Sequence, residues 1–231
     1  MFRRLLLFTM LLFSLGAMAQ EQEYQVEFKT NVGKFTVKLY NETPRHRDNF
    51  LALVREGAYD NLLFHRVIKN FMVQAGGDAR EPYKKRYEAL KERHSEMIPA
   101  EIRYPQLYHK RGALAAARIG DEENPDKASD PIEFYIVIGE FFLEKELKAY
   151  ETEERGEMPA EVKQQYMTEG GTPHLDNEYT VFGELVDGFK TIDKIQNRET
   201  GENNRPFIID TFRSQIQSDY RATREDNITD N

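Results

Sequence analysis

Residues 62–78, LLFHRVIKNFMVQAGGD, constrain the fold more than any other stretch, because they set a charged side chain among apolar ones in two strand-like runs. Lys69-Asn70 supplies a turn between the runs, and Gly76-Gly77-Asp78 supplies a sharp exit. Successive side chains of a strand face opposite ways. In the first run this puts Leu62, Phe64 and Arg66 on one face and Leu63, His65 and Val67 on the other; after the turn, Phe71, Val73 and Ala75 alternate with Met72, Gln74 and Gly76. Arg66 is thus expected to share a face with Phe64. An arginine in a strand is ordinarily a solvated edge charge, so a plain hairpin is one reading of these residues; a built polar site is the other.

The flanking chain decides what the hairpin belongs to. Residues 24–30 (YQVEFKT) and 33–40 (GKFTVKLY) alternate apolar and polar positions around Asn31-Val32-Gly33, which predicts an antiparallel hairpin. At Thr43-Pro44 the period changes. Thr43 suits an N-cap, Pro44 the first helical position, and Phe50, Leu53 and Val54 make one apolar stripe that runs to Gly57. Small-residue (112–118, GALAAAR) and aromatic (133–139, EFYIVIG) strands follow, then a loop and strand at 172–183, a helix at 188–196 and a last strand at 207–216 (FIIDTFRSQI). With about eight strands, two capping helices and no strand-helix-strand alternation, the pattern predicts a mainly β fold, a closed eight-stranded antiparallel β-barrel capped by two α-helices.

Two segments stand outside that pattern and read as helical insertions. Residues 79–97 carry Tyr83, Tyr87, Leu90 and His94 on one side of a surface helix. Residues 141–170 carry Leu143, Leu147 and Tyr150 on one stripe and Met158, Val162 and Tyr166 on a second, a helical hairpin expected to pack on the barrel or to receive a partner.

Both ends of the chain read as separate from this domain of residues 20–216. Arg3 and Arg4, the apolar run 5–15 and Ala17-Met18-Ala19 form a signal peptide over 1–19, so export, to the periplasm, is expected. The polar residues 217–231 read as a disordered tail. With 231 residues, 31% of them charged, the chain can build one sizeable core and is not a polytopic membrane protein; no stable membrane insertion is expected after cleavage. The net charge of -8, two units more negative without Arg3 and Arg4, argues against nucleic acid as a partner. There is no cysteine, which removes disulfides and thiolate metal sites.

Familiar catalytic arrangements are missing: there is no GxSxG, P-loop, GxGxxG after a strand, or HExxH. His46, His65, His94, His109 and His174 are scattered and read as surface or packing histidines, and neither a metal nor a cofactor is expected. What the residues allow is a non-covalent site built from Arg66, Gln74, aromatics and small side chains.

FHRVIKNFMVQAGGD resembles the signature of cyclophilin-type peptidyl-prolyl isomerases, and GALAAAR, EFYIVIG and HLDNEYTVFGEL resemble that family's downstream blocks in the same order. The resemblance covers 24–216, interrupted by the two insertions. It implies catalysis of X-Pro isomerisation in proline-containing polypeptides by a monomer. Conjugation of the amide sets a barrier of about 18–20 kcal/mol, and no bond has to break, so no nucleophile is needed. A guanidinium donating to the prolyl nitrogen favours its pyramidal, deconjugated form; lowering the barrier by roughly 5–8 kcal/mol gives about 10⁴- to 10⁶-fold. An arginine's planar fork stays charged in an apolar site.

By resemblance Arg66 is this donor and Gln74 holds it and the substrate carbonyl. Phe71, Met72, Tyr135 and Leu175 form the proline pocket, Ala117 and Arg118 bond the substrate backbone, and Tyr179 lies where many members place a histidine. Some residues depart from the family pattern. His174 stands where many eukaryotic members have tryptophan, Arg118 replaces a common asparagine, and Asp130-Pro131-Ile132-Glu133 replaces a Gly-Ser-Gln segment. Glu133, in place of a site glutamine, is expected to pair with Arg66 and compete with substrate, so that activity is reduced and Glu133→Gln raises it. The alternative is a non-catalytic chaperone or peptide binder that uses 141–170 for a partner.

Overall fold

In the first hairpin, β1 (Tyr24–Thr30) and β2 (Gly33–Leu39), every second apolar residue turns inward: Val26 and Phe28 from one strand, Phe35, Val37 and Leu39 from the other. The register pairs Phe28 with Phe35, and their rings stack at 4.6 Å. The computed structural model describes residues 22–77, 82–153, 155–208 and 210–217. The expected signal peptide, Asp78, residues 79–81 of the first insertion and the tail from 218 lie outside the described residues.

After α1 (Pro44–Arg55) come β3 (Leu62–Ile68) and β4 (Met72–Ala75), α2 (Lys84–Arg93), β5 (Ala113–Ala116) and β6 (Phe134–Val137). The chain continues through α3 (Glu144–Leu147), α4 (Ala160–Thr168), β7 (Val181–Asp187), α5 (Phe189–Gln196) and β8 (Thr211–Gln217). The strands close into an antiparallel barrel in the order β1-β2-β7-β5-β6-β4-β3-β8. Its interior is solid. Phe28, Phe35, Phe64, Phe134 and Phe212 fill it, and α1 and α5 add Phe50, Leu53, Ile192 and Ile195 to the same cluster. The barrel with two capping helices is the architecture that the strand count predicts.

Three local expectations are corrected. Thr43 does not cap α1: its hydroxyl is buried, with no hydrogen-bond partner among the described residues. Glu101 does so instead, accepting from the backbone N–H of Arg45 at 3.2 Å and of His46 at 3.0 Å, while the His46 ring contacts the same carboxylate at 2.7 Å. A carboxylate satisfies two free N–H groups and the positive end of the helix dipole, which a hydroxyl does less well. The last strand begins at Thr211 and not at 207; Arg198 holds Asp210 in a two-bond ion pair, and Phe207 and Ile208 stay exposed in the preceding loop.

The 141–170 hairpin is also shorter than its periodicity suggests. Its first helix is one turn followed by a 3-10 turn, and Leu143 is exposed. Leu147, Met158, Val162 and Tyr166 are buried, and they pack with Tyr104, Tyr108, Phe142 and Tyr150. The insertion thus turns its apolar side toward the 104–108 segment. Its two ends meet where Glu140 and Gly171 exchange backbone hydrogen bonds of 3.1 and 3.0 Å. Gly139 permits this crossing, with φ +71 and the Gly171 Cα only 2.3 Å from where a Cβ would stand. In the first insertion Leu90 is buried in the main core.

Candidate functional site

One irregularity in β3 builds the site. Phe64 pairs with Ala75 of β4, but the next partners are Arg66 with Gln74, so His65 is an extra residue in the ladder. Such a bulge inverts the alternation beyond it. Phe64 and Val67, three residues apart, therefore both point into the barrel, and Arg66 turns outward with Gln74. The expectation that Arg66 shares a face with Phe64 is corrected here: the parity changes at His65.

The pairing then carries a row of side chains straight across the outer face. Arg66 opposes Gln74, Gln74 opposes Tyr135 of β6, and Tyr135 opposes Ala115 of β5. Met72, Ala113, Ala115, Tyr135, Val137 and Val181 form a second apolar cluster outside the barrel, and Phe71, Ala117, Leu175 and Tyr179 pack against it. Small side chains on β5 make room for these loop residues. The result is an open groove of about 310 Å³ lined by Arg66, Phe71, Met72, Gln74, Ala117, Arg118, Tyr135, Leu175 and Tyr179.

Within the groove the Arg66 Nη1 donates to Gln74 Oε1 at 3.1 Å, and among the described residues no carboxylate pairs with the guanidinium. The Tyr179 ring lies edge-on to Tyr135 with centroids 6.0 Å apart, and the Arg118 guanidinium sits 4.5 Å from the centre of the Tyr179 ring. Arg118 is held in place by Glu178 and Asp121, and its side chain is only 4% exposed. Burial, and next the neighbouring Tyr179, push the Tyr135 hydroxyl well above its ordinary range, so it stays a neutral donor.

Two expected site residues lie beside the groove. His174 lies against Phe71 in a tilted ring contact, with centroids 5.3 Å apart. Glu133 sits behind Gln74, where it accepts from Gln74 Nε2 at 2.8 Å and from the Tyr87 hydroxyl of α2 at 2.5 Å, with His65 Nε2 at 3.6 Å. The expected Glu133–Arg66 pair is therefore not formed, because Gln74 stands between them. Burial raises the Glu133 pKa against the lowering effect of its Tyr87 and Gln74 donors. The Ala117 N–H donates to Glu133 O at 3.0 Å and its carbonyl accepts from Asp130 N at 2.8 Å.

Tyr87 is the contributor that spacing alone did not reveal. It lies on the stripe of the first insertion, and the signal was a half-buried acid at 133 that requires donors. Among the described residues no cluster of three or more His, Asp or Glu side chains could hold a metal ion, and no helix is long and apolar enough to cross a membrane.

Comparison with known proteins agrees with this geometry. The profile of the family described as cyclophilin type peptidyl-prolyl cis-trans isomerase/CLD matches residues 25–214. A Streptococcus pyogenes protein provisionally named a bifunctional phosphatase/peptidyl-prolyl cis-trans isomerase is 36% identical over 199 residues, 81% of this chain; the chain spans only 38% of that relative's length. A Staphylococcus epidermidis protein provisionally named a peptidyl-prolyl cis-trans isomerase is 31% identical over 188 residues, covering 81% of this chain and 88% of its own. The fold is similar to a crystal structure of a Cryptosporidium parvum cyclophilin type peptidyl-prolyl cis-trans isomerase, with TM-score 0.59, 24% identity, and 85% of this chain and 98% of that one covered. The same protein in the presence of the dipeptide Ala-Pro gives TM-score 0.58. With its barrel, its outer-face groove and a family match spanning residues 25–214, this chain belongs to the cyclophilin-type peptidyl-prolyl cis-trans isomerases.

Proposed function

We propose that the chain accelerates cis-trans isomerisation of X-Pro bonds in polypeptides laid across the outer face of the barrel, and that Arg66 is the group that lowers the barrier. The observation that carries this reading is a guanidinium without a carboxylate partner among the described residues, held by one amide at the edge of an apolar groove of about 310 Å³. A prolyl ring fits against Phe71, Met72, Tyr135 and Leu175, which line the groove. Arg66 then donates to the prolyl nitrogen as its lone pair leaves conjugation, an interaction that strengthens only in the twisted state and so raises kcat. Gln74 fixes the fork of the arginine. An exchange assay on a proline peptide with the wild type and Arg66→Ala tests the proposal; equal rates would sink it.

The clients are proposed to be proteins folding outside the cytoplasm, on the strength of the Arg3-Arg4 start, the apolar run and the Ala17-Met18-Ala19 motif. The reading as a non-catalytic binder through 141–170 has less support, since Leu147, Met158, Val162 and Tyr166 of that insertion pack with Tyr104 and Tyr108, which leaves Phe141, Leu143 and Met167 as its exposed apolar side chains.

A further inference from the structure

Behind the groove lies a chain of buried polar groups that the proposed chemistry leaves unused. The Tyr135 hydroxyl is 3.0 Å from His109 Nε2, and His109 Nδ1 is 3.0 Å from Asp176 Oδ1, which also accepts from the His109 backbone N–H at 2.9 Å. The other oxygen, Asp176 Oδ2, accepts from the Tyr166 hydroxyl at 2.7 Å. All four side chains are buried, at 5%, 1%, 3% and 0% exposure along the row from Tyr135 to Tyr166. One end lines the groove; the other is on α4, in the 141–170 insertion.

We propose that Tyr166, Asp176 and His109 are positioning residues through which the helical insertion sets the floor of the substrate groove at Tyr135. The inference rests on the isomerase reading for its kinetic consequence, although the relay itself is a matter of geometry. The Asp176 carboxylate holds the His109 ring at Nδ1, and Nε2 on the other side of the ring shares the next hydrogen bond with the Tyr135 hydroxyl, so the imidazole is fixed between its two partners. Tyr166 fixes where the carboxylate points, because its hydroxyl is the contact to Oδ2. The His109 and Tyr135 rings, nearly parallel at 12° and joined end to end by the 3.0 Å contact, transmit a change in imidazole position to the tyrosine ring and hence to the surface on which a proline would rest. No charge on the insertion has to reach the substrate for this to work.

Tyr166→Phe isolates the idea, since it removes the hydroxyl and keeps the ring that meets Tyr108 and Phe142 edge-on. In the full chain, kcat/KM toward a proline peptide is expected to fall about fivefold, mainly through KM, with the melting transition still cooperative. In a Tyr135→Phe background, where the relay has lost its last hydroxyl, adding Tyr166→Phe should change kcat/KM by less than about twofold. Equal losses in the two backgrounds, or no loss from Tyr166→Phe alone, overturn the relay. The ring resonances of Tyr135, followed by NMR in the same variants, report the floor whether or not peptide is turned over: they move in Tyr166→Phe, and unchanged resonances also overturn it. An inactive wild type would defeat the isomerase reading alone and leave the resonance test in force.

Discussion

The side-chain nitrogen of Gln74 donates to Glu133 Oε2 at 2.8 Å, and this contact leaves the Gln74 amide oxygen facing Arg66. A carboxylate has no proton to offer at that position, so it selects one of the two ways the amide can lie. Glu133 therefore supports Arg66 from one residue behind it and does not compete for it.

An expected outcome at neutral pH follows directly. A glutamine at 133 can turn its oxygen to Gln74 and its nitrogen to the Tyr87 oxygen, so Glu133→Gln keeps the amide orientation and leaves kcat/KM within about twofold of wild type. Glu133→Ala removes the anchor and lowers kcat/KM by about 3- to 10-fold. A clear rise in the Glu133→Gln rate would restore the competition that the sequence suggests.

Stability should respond to Glu133 with a definite sign. Burial raises its pKa, and a carboxyl whose folded-state pKa lies above the unfolded one gives its full contribution below the ordinary carboxylate value. That contribution is lost as pH rises through the raised value. Urea unfolding of wild type and Glu133→Gln between about pH 4 and about pH 8 should show the variant gaining on the wild type as pH rises. A difference that is flat across this range contradicts the assignment.

For Arg66 the expectation concerns geometry as much as charge. Arg66→Ala should reduce kcat/KM by about 10²- to 10³-fold, the scale of one lost transition-state donor. Arg66→Lys should recover little, because an ammonium cannot meet Gln74 and a prolyl nitrogen with one planar fork. Full activity in the lysine variant would mean that charge alone suffices.

Glu101 ties the 98–105 segment to the start of α1, with two backbone N–H groups and the His46 ring on one carboxylate. Glu101→Ala leaves these donors buried and unpaired, at a cost of about 2–4 kcal/mol in unfolding free energy. Denaturant titration measures it, and a loss below about 1 kcal/mol would mean that water replaces the carboxylate.

Alternation and period make the strands and the two capping helices legible in the sequence, because inward side chains of a barrel must be apolar at every second position. The bulge at His65 was not legible, since an extra residue is defined only by what stands opposite it on β4. Thr43 has the right propensity for a cap and lost to Glu101, which lies far along the chain. His109 looked ordinary for the same reason: Asp176, Tyr166 and Tyr135 are distant in sequence and adjacent in space. The groove residues lie in ordered blocks that resemble a family, and the pairing of β3, β4, β6 and β5 explains why those blocks converge.

The phenylalanine-filled lumen has a consequence for the kind of client the groove can serve. Nothing has to be threaded, because the working surface is the outside of a plugged cylinder. A proline far from either end of a long polypeptide can be laid against that surface without a chain end having to pass through the molecule.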